Sequence, residues 1–134
     1  MSMILVFMAG CLASPEQTPS EEFTLVVVAD THYGSAEKAK NDLQLEHINS
    51  ISGKTYPFGG AVKTPDAVFV LGDLVHETSA PPSAFFDEYN QLTSPVYETP
   101  GCHDRPPVID VIEQRHGSIY YGVQIGPIWF QSMG

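Results

Sequence analysis

Three short apolar runs punctuate an otherwise mixed chain. Residues 23–29 read Phe-Thr-Leu-Val-Val-Val-Ala, a continuous, β-branched stretch that predicts a strand buried on both faces. Residues 67–71 (Ala-Val-Phe-Val-Leu) predict a second buried strand, and residues 96–98 a third, shorter one. Between the runs the period lengthens. Leu43, Leu45, Ile48 and Ile51 predict a helix that Ser35 can cap and that continues to about residue 50. Ser83 opens a second helix with Phe85, Phe86, Tyr89 and Leu92 on its apolar side. Pro106 and Pro107 lead into a third, residues 108–115, which Gly117 stops. Residues 118–125 and 128–131 alternate as a hairpin around Gly126-Pro127. The glycine- and proline-rich stretch 53–62 predicts an irregular loop. The order βαβαβα plus hairpin predicts an α/β fold with parallel opening strands covered by helices.

Composition narrows the function classes. A hydrophobic fraction of 43% in 134 residues supports one domain with a real core. The formal charge of −10, from 16 acidic and 6 basic side chains, argues against the basic face on which nucleic-acid binding depends. A small anionic substrate remains compatible with such a surface if bound cations offset it.

The first residues carry a different signal. Residues 1–11 form an apolar run that ends in small side chains directly before Cys11, an order that resembles a bacterial lipoprotein signal, without a basic residue ahead of it. That resemblance implies acylation of the Cys11 thiol, export to the cell envelope and membrane association through the lipid, with a secreted protein as the alternative. The same run also fits a buried first strand over residues 4–9. Residues 12–22, with two prolines and three glutamates, read as a solvated linker, and residues 23–134 as the domain.

The chemistry lies just past the strands. The first ends in Asp30-Thr31-His32, the second in Gly72-Asp73-Leu74-Val75-His76, the third in Gly101-Cys102-His103-Asp104. Ligands of open parallel sheets bind beyond the carboxyl ends of the strands, so all three motifs are expected at one rim. Carboxylate with imidazole suits Zn, Fe or Mn better than Ca or Mg. If residues 30–32 stay extended, Asp30 and His32 project to one side. Singly, each motif has an ordinary explanation: Asp30 as a helix cap, Asp73 in a turn, His103 and Asp104 as a surface pair. Their recurrence after three strands favours a metal site.

This arrangement resembles the calcineurin-like metallophosphoesterases from residue 23 onward, including Pro100 before the third motif and the Tyr-Tyr-Gly of the hairpin. The resemblance implies an N-terminal half of that α/β sandwich and two divalent or trivalent ions (Zn, Fe or Mn). It also implies hydrolysis of a small phosphate mono- or diester by a water activated between them. Carried across, Asp30 and His32 would bind the first ion and Asp73 would bridge both. His103 would be a general acid or phosphate contact, Asp104 would orient it, and His76 would stand behind the ligands. Arg105 would be a phosphate clamp.

Cys102 stands where the family has asparagine, and offers a softer ligand. The family also draws histidines from later motifs. His47 and His116, inside one helix and at the end of another, match neither, so the segment is expected to be C-terminally incomplete and inactive alone. A non-catalytic envelope binding protein with a decayed site is the alternative. Tyr56 and Phe58 in the loop 53–62 mark a third option, a docking surface.

Overall fold

In the computed structural model, residues 22–34, 38–76 and 80–134 are described. The lipoprotein-like segment, residues 12–21 of the linker and the helix-capping Ser35 lie outside them. The elements run β1 (Leu25–Ala29), α1 (Lys38–Asn49), β2 (Ala67–Leu71), α2 (Ser83–Tyr89), β3 (Val96–Thr99), α3 (Pro106–His116), β4 (Gly122–Ile125) and β5 (Ile128–Gln131). The first three strands form a parallel sheet in the order β1-β2-β3, and β4 pairs antiparallel with β5. The expected α/β architecture is therefore present, with β2 in the middle.

Alternation along the strands separates two faces. Val26, Val28, Val68 and Val70 join Leu45 and Ile48 of α1, Phe85, Phe86 and Tyr89 of α2, and Val108 and Ile112 of α3 in the main core. The opposite face carries Ala67 and Phe69 under Ile125, Val123 and Phe130 of the hairpin. Phe69 lies 4.5 Å from the Phe130 ring and 5.5 Å from that of Tyr97. The hairpin covers this face incompletely. A groove of about 240 Å³ remains between Val27, Leu71, Tyr121 and Phe130.

That groove corrects the expectation for the first strand. Among the described residues β1 lies at the edge of its sheet, where the hairpin leaves one face open and Val27 is 59% exposed. In α1 the buried stripe runs through Asn41, Leu45 and Ile48, whereas Leu43 points outward. The stretch 53–62 is more regular than its composition suggests. A Thr55–Ala61 bridge and the bonds of Gly53 N to Val62 O and Val62 N to Lys54 O fold it into a small hairpin with Phe58 fully exposed. Gly117 caps α3 in the left-handed region, as expected from its position.

Candidate metal centre

The parallel ladder does not stop at the strand ends. His32 N donates to Asp73 O (2.9 Å), Tyr33 N to Leu74 O (2.9 Å) and His76 N to Tyr33 O (2.8 Å). Tyr33 anchors this extension. It bridges to Val75, and its ring is buried edge-on against Phe85 and Tyr89. Burial, followed by the negative charges of Glu88 and Asp42, pushes the Tyr33 phenol well above its ordinary pKa, so it acts as a packing residue.

Within this fixed frame the backbone is strained at three non-glycine residues: Asp30 (φ 54°), His32 (φ 44°) and Asp73 (φ 49°). Left-handed backbone costs an L-residue about 1–2 kcal/mol, and such strain clusters at functional sites. The segment 30–32 is therefore not extended, contrary to the expectation above. Two left-handed residues, rather than strand alternation, bring Asp30 and His32 together.

The third loop is welded to the second by reciprocal carboxylates. Asp73 Oδ1 accepts from His103 N (2.9 Å). Asp104, which is buried, accepts from Leu74 N (2.9 Å), Val75 N (3.3 Å) and Gly101 N (2.8 Å). Asp104 thus holds the backbone of both loops, including the one that carries His103. Glycine is needed where the loops touch. A Cβ on Gly101 would collide with the amide and carboxylate of Asp73, and one on Gly72, itself at φ +71°, would meet Gly101 Cα at 2.9 Å.

This framework gathers two sets of potential ligands that share one residue. Asp30, His32 and Asp73 form one set and Asp73, Cys102 and His103 the other, with ligand atoms within 4.8 Å of one another in each. With Oδ1 of Asp73 held by an amide, Oδ2 faces both sets. It lies 3.9 Å from His32 Nε2 and 3.9 Å from Cys102 Sγ. Ligands bound at 2.0–2.3 Å to one ion sit about 3–3.5 Å apart, so a small rotation closes either pair onto a cation. His32 Nδ1, the ring nitrogen not used in that approach, is buried without a hydrogen-bond partner. Donor type and spacing both fit metal ions.

Of the remaining candidates, two histidines stand beside this point. The rings of His76 and His103 lie 5.7 Å and 5.2 Å from that of His32. Arg105 is exposed at the N-cap of α3. His47 is exposed on α1. His116 is committed elsewhere: its Nε2 lies 2.6 Å from Oε2 of Glu98, which is fully buried in β3. Arg115 Nη2 approaches Oε1 of the same carboxylate at 3.1 Å, within ion-pair distance but without the alignment of a hydrogen bond. Tyr121 stacks on His116 at 4.1 Å and donates its hydroxyl to Glu98 O.

Two supporting residues escaped the sequence reading. Thr31 is buried between the paired ligands and donates to Leu74 O (3.0 Å), while Asn41 Nδ2 donates to Thr31 O (2.7 Å). A signal for Asn41 did exist, since it is a polar residue four and seven positions before Leu45 and Ile48 on one helical stripe. Against known proteins, a family model described as calcineurin-like phosphoesterase matches residues 23–131. No curated protein and no solved structure matches the chain.

Proposed function

The chain belongs to the calcineurin-like phosphoesterase family, and from that premise we propose that its rim holds a dinuclear metal centre for hydrolysing a small phosphate mono- or diester. The observation that carries this reading is the shared carboxylate: Asp73 Oδ2 stands between a ligand of each set. Asp30 and His32 would hold one ion, Cys102 would bind the other with His103 beside it to face the ester, and Asp73 would bridge the two. When bound, the ions would supply charge neutralisation for the ester and lower the pKa of a water.

The protein's own part is placement. The bond from His103 N fixes which oxygen of Asp73 faces the ions, and Asp104 fixes the loops that carry Asp73 and Cys102. The imidazole of His103 is assigned proton transfer to the leaving oxygen, and His76 orientation of its neighbours. Arg105 is assigned the non-bridging oxygens of the ester, which a planar guanidinium matches.

Metal titration of the chain by calorimetry tests this reading, together with turnover of an aryl phosphate diester by the protein expressed from its own open reading frame. Asp73→Asn is expected to weaken metal binding by more than about 100-fold, beyond the 10- to 100-fold typical of outer partners, and to abolish turnover. A parent chain that binds no Zn²⁺, Mn²⁺ or Co²⁺ would refute the proposal.

On sequence grounds alone, the same proposal places the site at a membrane through acylated Cys11. Mass spectrometry of the protein from a bacterial host should find Cys11 as the mature N-terminus with added lipid mass. A soluble product retaining Met1 would remove the anchor.

A further inference from the structure

The two ligand sets that meet at Asp73 are chemically unlike. Asp30, His32 and Asp73 offer oxygen and nitrogen only, whereas Asp73, Cys102 and His103 add a sulfur. We propose that the site is asymmetric in metal preference: Cys102 supplies a thiolate that makes its side select thiophilic ions (Zn²⁺, Co²⁺, Cd²⁺) over Mn²⁺ and Mg²⁺. This rests on the dinuclear reading above and says which ion each half takes.

Three features point this way. Sγ is 3.9 Å from the Asp73 oxygen that faces both sets, close enough for both atoms to reach one ion. Cys102 is exposed, so an ion can arrive from solvent and the S–H proton can leave to it as the metal–sulfur bond forms. The loop bearing the thiol is held by Asp104 through Gly101 N and by Asp73 through His103 N, so its position is set before any ion binds. Soft thiolate favours Zn and Co, while an all-oxygen and imidazole set leaves Mn competitive. The Asp30–His32 side is accordingly the less discriminating half.

Cobalt reports each half separately. In a Cys11→Ser background Cys102 is the sole thiol, and Co²⁺ is titrated into the chain while absorbance is recorded. The expected result is a thiolate-to-cobalt charge-transfer band in the near ultraviolet together with the weaker visible bands of bound cobalt. In Cys102→Ser and Cys102→Asn the charge-transfer band should vanish while the visible bands persist from the other half. Cd²⁺ should displace cobalt from the parent at concentrations lower by on the order of 10- to 100-fold than from Cys102→Asn, and Mn²⁺ should show no such difference. Visible bands without a charge-transfer band in the parent would overturn the inference and leave the metal centre standing. Absence of both would overturn the centre and the inference with it. Because the Cys102 side chain is exposed, an unchanged melting temperature is expected in all variants and controls for folding.

Discussion

Among the described residues, carboxylates and histidine rings meet behind β3 and at the rim of the sheet, and the two places are built differently. Behind β3, Glu98 is fully buried, yet Arg115 from the last turn of α3 lies within ion-pair distance of it, the His116 ring meets its other oxygen, and Tyr121 closes the cluster. At the rim, Asp30 and Asp73 stand beside His32 and Cys102, and among the described residues no lysine or arginine pairs with either carboxylate. The first cluster is complete in itself. The second lacks such a partner, and in the function proposed above bound ions would offset its carboxylates.

Two substitutions sharpen this contrast. Glu98→Ala should cost about 3–5 kcal/mol, because it leaves a cavity at a fully buried position and removes the partner of the His116 ring and of Arg115. Chemical denaturation would measure the loss, and the metal affinity of the folded protein should hold. If Glu98→Ala lowered metal affinity as strongly as Asp73→Asn, the two clusters would not be independent. A smaller effect is expected from Asp104→Asn, which keeps the shape but weakens three bonds to backbone amides. It should cost about 1–3 kcal/mol of stability and, unlike Glu98→Ala, also lower metal affinity by about 10- to 100-fold. An Asp104→Asn chain with reduced stability and unchanged metal affinity would show that the loops hold their geometry without it.

Much of this was legible from residue order. Buried runs located all three parallel strands, Pro106 and Gly117 bounded α3, and the motifs fell where strand ends had to be. Local conformation was less visible. Nothing in Asp30-Thr31-His32 announces two left-handed residues, because that backbone is imposed by the ladder to Asp73 and Leu74 from a distant strand. Burial at the sheet edge was overestimated for Val27, since a β-branched run looks the same in an edge strand as in a central one. Glu98 was hidden for a related reason. In Val-Tyr-Glu-Thr it reads as the polar half of an alternating strand, and only its partners in α3 show that it faces inward. His116 was placed only at a helix end, and its ring turned out to meet that buried carboxylate.

The left-handed residues at the rim also bear on how such a chain would change under selection. Asp30, His32 and Asp73 each hold the fold in a conformation that glycine adopts without steric penalty. Selection for thermal stability alone would therefore reward relieving that strain at Asp30 and His32, where each gain would remove a proposed ligand, whereas Asp73 also holds His103 N. Consensus or stability-guided redesign of this domain would tend to erase its chemistry first, while leaving the sheet, the helices and the Glu98 cluster intact.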